Sequence, residues 1–307
     1  MSEQLTLNGV AALADWGVIR AAGAEAASFL HGQLTHDIEH LGTGEARLAG
    51  YCSPKGRLLA SFIVWRPAAD EVLLACPAGV LPGALKRLSM FVLRAKCKLS
   101  DASAELPLFG VAGEDAAALV GGLSTWGCRA ADGRTVIRLP DAQATPRALV
   151  AGAAPVGSPL RLADWHWLAV QSGVATIEAA TVDQFVPQML NFELVGGVNF
   201  QKGCYPGQEV VARAQYRGTV KRRAFLFHTD SAVQAGDEIF HSNDPGQPAG
   251  RVANAAPAPQ GGSAVLAEVK LAARADGSLH LGAADGPMLV PQDMPYDLPL
   301  ESASVGD

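Results

Sequence analysis

Charge is scarce in this 307-residue chain: Asp, Glu, Lys and Arg together make 18% of it, against about a quarter in ordinary globular proteins. With 49% hydrophobic residues, that shortage excludes a disordered chain and allows a large core without covalent staples. An excess of Lys and Arg is also missing. The net charge is −6, so a global electrostatic grip on nucleic acid is excluded, although a local basic patch is not. Cys52, Cys76, Cys97, Cys128 and Cys204 form no C-x-x-C pair, and their number is odd. Neither a disulfide framework nor a zinc site fits that pattern, and most of these thiols are expected to be buried and reduced. No apolar run reaches the ~18 residues of a membrane span. The first residues carry Glu3 and no basic stretch followed by an apolar one, so a signal peptide is not expected. A soluble, cytoplasmic protein is the resulting expectation. A P-loop, a dinucleotide glycine fingerprint, H-E-x-x-H and G-x-S-x-G are all absent.

What is present reads as a layered mixture of strands and helices, and a length of this order suits about two domains. Strands are expected at Val18–Arg20, Leu48–Tyr51, Leu58–Trp65, Glu71–Cys76 and Lys96–Leu99, and helices at Ala24–Leu34 and Val80–Leu93. Ser53-Pro54-Lys55-Gly56 supplies turn chemistry between two of the strands. From Leu106 the pattern restarts, with strands at Thr135–Leu139 and Ala148–Ala151 and a helix over Leu160–Val170 carrying Trp165 and Trp167. Beyond Arg223, short strands alternate with Gly, Pro, Asn and Asp clusters, which predicts a small all-β unit and a boundary near residue 225. Trp165 and Trp167 stand two apart, about 200° around a helix. One belongs to the core, and the other can wall a pocket for a flat heterocycle.

The segment densest in chemistry is Lys202-Gly203-Cys204-Tyr205-Pro206-Gly207-Gln208-Glu209. Glycines on both sides let the backbone turn tightly at Cys204. Pro206 and Glu209 suit the first turn of a helix over Val210–Ala214. A thiol at a helix N-terminus beside a lysine has a lowered pKa; the competing reading is an inert cysteine in a tight turn. Arg213, Arg217, Lys221, Arg222 and Arg223 follow. They either hold phosphate or carboxylate or form a solvated face. His31, His36 and His40 do not share a helical face, which argues against a metal cluster.

This K-G-C-Y-x-G-Q-E run resembles the signature of the YgfZ family. Two further stretches agree: Asp15-Trp16 with Phe29-Leu30-His31-Gly32-Gln33-Leu34-Thr35-His36-Asp37, and Cys52-Ser53-Pro54-Lys55-Gly56-Arg57. The pattern is similar to that of the related T-protein, the folate-dependent aminomethyltransferase of glycine cleavage. The resemblance implies an α+β fold of three domains in a ring around a folate channel, with a small C-terminal β-barrel. The expected division is 1–225, with subdomains of about 1–105 plus 160–225 and 106–159, and then 226–307. The implied cofactor is tetrahydrofolate or a derivative. Trp16 and Trp167 are its expected walls, and Gln208 and Arg217 its expected polar contacts. Cys204 is the implied functional residue, with Lys202 stabilising its thiolate and Glu209 orienting the loop. The implied role is assembly or repair of iron–sulfur enzymes, including those that thiomethylate tRNA, with those enzymes or their assembly machinery as partners. Two alternatives stand beside it: a folate-dependent aminomethyltransferase, and a module that binds tRNA directly. Against the first, Ala60-Ser61 occupies the positions of the T-protein's acidic pair, and neither residue can act as a carboxylate acid or base.

Overall fold

A computed structural model describes residues 7–216 and 220–299 of the chain. In order, the first elements are β1 (Gly9–Ala12), β2 (Trp16–Ala22), α1 (Ala26–His31), β3 (Ala46–Cys52), β4 (Leu58–Ala68), β5 (Glu71–Pro77), α2 (Leu81–Phe91) and β6 (Lys98–Asp101). Five of these strands form an antiparallel sheet in the order β3-β4-β5-β2-β6. A second set follows: β7 (Leu108–Ala112), α3 (Gly113–Val120), β8 (Cys128–Ala131), β9 (Arg134–Ala142) and β10 (Thr145–Gly152). The strand β1 leaves its sequence neighbours to pair with β7, giving a second antiparallel sheet of order β1-β7-β10-β9-β8.

β4 is buried along most of its length on both faces, and side-chain alternation explains why. Ala60, Phe62 and Val64 point into one core with Leu30 of α1 and Leu88 of α2. Ile63 and Trp65 point the other way, into a core shared with Ile137, Leu139, Leu149 and Ala151 of the second sheet. The two sheets thus pack face to face, with α1 and α2 on one outer side and α3 on the other. A sheet covered on both faces needs near-continuous apolar strands, and Leu58–Trp65 is one.

α4 (Leu162–Gln171) then enters with Trp165 in the inter-sheet core. The indole fits because Gly110 lies beneath it: a Cβ there would come 2.3 Å from the ring. From Ser172 to Gly207 the only regular structure is two 3-10 turns, Ala179–Thr181 and Pro187–Leu190. The segment is nonetheless core, since Ile177, Phe185, Leu190 and Phe192 are buried. Side chains satisfy its backbone: Ser61 Oγ accepts the Ile177 N–H at 2.9 Å, and Thr35 Oγ1 donates to Gly197 O at 2.6 Å. α5 (Gln208–Tyr216) follows.

The last sheet comprises β11 (Arg222–Thr229), β12 (Glu238–His241), β13 (Gly250–Pro257), β14 (Ser263–Lys270), β15 (Leu279–Leu281) and β16 (Val290–Gln292), in the order β15-β12-β13-β14-β11-β16. It curls but does not close, which corrects the expected barrel. Its edge strands have three residues each, and Pro291 in β16 has no N–H to give. An isolated bridge, His280–Met288, joins the two ends. α1 is also shorter than expected. It stops at His31, because Leu34 leaves the helix to bridge Tyr51. No helix among the described residues is long and apolar enough to cross a membrane.

Candidate functional site

Strand parity aims a set of side chains at the space where the three sheets and α4 meet. Two adjoining hollows share Trp16, Trp165, Ala169, Val174 and Thr176 in their walls. Trp126, Ile63, Leu139 and Leu149 complete the apolar side of the first. Trp165, Ala169 and Ser172 form one stripe of α4 and its C-cap, at the spacing of a helix face. Trp126 holds a left-handed backbone at φ 65°, uncommon for a bulky residue and a mark of functional sites.

The polar groups in these walls are few. Asp15 Oδ2 lies 2.9 Å from His166 Nε2, in an alignment short of a hydrogen bond. Burial pushes the Asp15 carboxyl up, but His166 and a backbone donor outweigh it and leave it below its ordinary value. Glu178 accepts from Asn254 Nδ2 at 2.6 Å. Burial raises the Glu178 carboxyl even so, the Asn254 bond opposing. Asn254 is fixed in turn by Thr176, donating to its carbonyl at 2.9 Å and accepting its N–H at 2.8 Å. Arg147 enters the first hollow from β10. A flat, aromatic-walled space with a few fixed donors and acceptors is the ordinary form of a heterocycle site.

The Cys204 loop is a separate piece of construction. Gly207 has φ +79°, and a Cβ there would meet Ser53 O at 2.4 Å. Glycine is therefore required where the loop crosses the Ser53–Gly56 turn of the β3–β4 hairpin. Lys202 is buried, its Nζ donating to His31 O at 2.6 Å and Leu34 O at 3.0 Å and lying over the Tyr205 ring. Burial brings its ammonium down to about 8, with Asp37 and Cys204 opposing. Lys202 thus closes the open carbonyls after α1. The Cys204 side chain is exposed. Beside Gly203 stands His31, whose Nε2 would lie 3.6 Å from a Cβ at that position. His31 Nδ1 is 2.9 Å from Asp37 Oδ1, and His40 Nδ1 is 2.9 Å from Asp37 Oδ2. Burial raises the Asp37 carboxyl, but its bonds from His40 and His31 hold it down to about 2. Burial, helped by Arg47, lowers His36 to about 4. Among the described residues no group of three or more His, Cys, Asp or Glu is placed to hold a metal ion.

The expected site residues therefore divide between two places. Trp16 lines both hollows. Trp167 lies on the opposite side of α4 from Trp165, packed near Ala112, Ala142 and Leu168, and lines neither. Cys204, Lys202, Gln208 and Glu209 belong to the loop and the first turn of α5, and none lines the hollows. Arg217 falls outside the described residues. Arg222 and Arg223 are occupied: Arg222 Nη1 reaches the Glu268 carboxylate at 2.6 and 2.8 Å, and Arg223 Nη1 reaches Glu193 at 2.7 Å. Ala60 lies in the helix-side core, and only Ser61 faces the cavity. Sequence reasoning missed Trp126, Arg147, His166, Glu178 and Asn254. The five come from five separate elements or loops, with no local motif to join them.

No family model matches the chain. Among proteins of similar sequence, the tRNA-modifying protein YgfZ of Edwardsiella ictaluri is 34% identical over 242 residues, 69% of each chain. The tRNA-modifying protein YgfZ of Sodalis glossinidius is 30% identical over 302 residues, 92% of each. An uncharacterized protein of Haemophilus influenzae is 30% identical over 230 residues, 74% of this chain and 76% of that one. Among solved structures, the glycine cleavage system aminomethyltransferase T from Bartonella henselae superposes with a TM-score of 0.71 at 15% identity, over 94% of this chain and 86% of that one. That likeness is one of fold, and the C-terminal part follows it as a curled half-barrel. With relatives at this identity aligned over most of their length, the chain belongs to the YgfZ family.

Proposed function

We propose that this protein binds tetrahydrofolate or a derivative in the central cavity, and that it acts with Cys204 in the assembly or repair of iron–sulfur enzymes, including those that thiomethylate tRNA. The observation that carries the reading is the cavity: three indoles, Trp16, Trp126 and Trp165, around a space whose polar edge is Glu178 with Asn254. A reduced pterin is flat, apolar on its faces and rich in N–H donors along one edge. Indoles suit the faces, and a buried carboxylate suits the donors. The three sheets around this cavity are read as the three units of a ring, divided near residues 105, 160 and 225. Cys204 would act from the neighbouring loop, its thiol exposed to a client protein.

Aminomethyl transfer fits less well. Ala60 is core and Ser61 is committed to the Ile177 N–H, so neither supplies the missing acid. Direct tRNA binding is weakened by the pairing of Arg222 and Arg223 with Glu268 and Glu193.

Calorimetric titration with tetrahydrofolate tests the ligand. Trp165→Ala is expected to weaken binding about tenfold or more, the value of one lost stacking wall, and Trp167→Ala to weaken it less. A folded protein that takes up no tetrahydrofolate would remove the cofactor from the proposal. In cells lacking the protein, Cys204→Ser should fail to restore tRNA thiomethylation. Restoration would reduce Cys204 to a bystander.

A further inference from the structure

Arg147 is a cation in the interior of the protein with no counter-ion among the described residues. Its residue surface is 5% exposed. Among the described residues it forms no ion pair. Its Nε has no hydrogen-bond partner, and the bond from Nη1 to Pro140 O is long, at 3.4 Å. The Trp165 ring lies 4.8 Å from its Cζ and holds the guanidinium plane in place. Asp141 is near enough to feel the charge, but it is engaged with Arg138 at 3.4 Å. Burial pulls the guanidinium down only to about 10, Asp141 opposing. The charge therefore persists at neutral pH.

A buried charge of this kind is costly unless something pairs with it. The strand explains where it points. Arg147, Leu149 and Ala151 alternate with Ala148 and Val150 on β10; the first set faces the inter-sheet space and the second faces α3. Arg147 therefore lines the first hollow, among Trp16, Trp126, Trp165, Ile63 and Ser61. We propose that this hollow is an anion subsite, in which Arg147 binds the carboxylate of a ligand whose flat aromatic body lies between the indoles. A carboxylate is favoured because its two oxygens match the guanidinium fork, and the aromatic body because the remaining wall is apolar. The proposal deepens the folate reading: the aminobenzoylglutamate end would reach Arg147 while the pterin meets Glu178 and Asn254. It also moves the anionic tail away from the Arg213–Arg223 strip, where Arg222 and Arg223 already hold carboxylates.

The test uses N-(4-aminobenzoyl)-L-glutamate and its neutral diamide as probes, read by quenching of tryptophan fluorescence, in the wild-type protein and in Arg147→Met and Arg147→Lys. Wild type should bind the dicarboxylate at least about tenfold more tightly than the diamide. Arg147→Met should lose that preference, and Arg147→Lys should keep part of it. Thermal melts supply the control. Removing an unpaired buried charge should leave the melting temperature of Arg147→Met unchanged or raise it. Equal binding of dicarboxylate and diamide by wild type, no binding of either, or an Arg147→Met protein that binds like wild type would each overturn the subsite. So would a melt of Arg147→Met several degrees lower, which marks a structural cation. Parallel titrations with tetrahydrofolate and 6-methyltetrahydropterin separate the two proposals. If both bind and Arg147→Met changes neither, the subsite fails and the folate reading stands. If neither binds but the dicarboxylate does in an Arg147-dependent way, the folate reading fails and the subsite stands.

Discussion

At the scale of single residues, exposure separates one cysteine from the other four. Cys52, Cys76, Cys97 and Cys128 are buried. Burial raises all four thiols, Cys52 and Cys76 to about 12 and Cys128 to about 11. The thiolate is the reactive form, so these groups are inert at neutral pH while the protein is folded. Iodoacetamide at pH 7.5 is therefore expected to add one equivalent to the native protein, at Cys204, and five after unfolding in urea; intact-protein mass spectrometry counts them. A Cys204→Ser protein that still takes up an equivalent in its native state would contradict the burial of the others. Lys202 illustrates the opposite lesson. Read in sequence it is a partner for the thiolate, but in the fold its ammonium donates to the carbonyls of His31 and Leu34. Those two bonds tie the loop to the end of α1 and help to position Cys204.

At the scale of elements, the cavity depends on one close approach between a strand and a helix. Gly110 in β7 leaves room for the Trp165 indole from α4, where a Cβ would overlap ring atoms at 2.3–2.6 Å. Backbone strain plays no part there; the requirement is space. Gly110→Ala should therefore cost about 1–3 kcal/mol through overpacking, measured as a shift in the urea midpoint. It should also weaken tetrahydrofolate binding, because the ring has to move into the hollow. Unchanged stability would mean that α4 can slide on the sheet, and the cavity walls would then be less fixed than the contacts imply. The Ser172–Gly207 segment makes a related point. It has almost no regular structure, yet its buried Phe185 and Phe192 join the core beside the last sheet. Asn191 Nδ2 anchors it by donating to Ala224 O at 2.9 Å.

At the scale of the whole molecule, the hollows are walled by all three sheets: Ser61 and Ile63 from the first, Leu139 and Leu149 from the second, and Asn254 and Ala255 from the third. A ligand there should stabilise the folded protein as a unit. Tetrahydrofolate at about 100 times its Kd should add about 2.7 kcal/mol by mass action, a shift of a few degrees in a single melting transition. Arg147→Met should show a smaller shift at the same concentration. Two separate transitions, only one of them moved by ligand, would show that the sheets do not melt together. The sequence by itself determined most of the strands and helices, the inert thiols, the glycine-flanked Cys204 loop and the family, because these are local: apolar periodicity, turn residues and one continuous motif. The family resemblance also named Trp16, which lines both hollows. Tertiary structure alone decided which of Trp165 and Trp167 faces inward, that Arg147 has no counter-ion among the described residues while Arg222 and Arg223 do, and that the last sheet stays open. Those outcomes depend on which face of each element is covered and by what. Periodicity shows that a strand or helix has two faces; only the packing of the other sheets determines what each one meets.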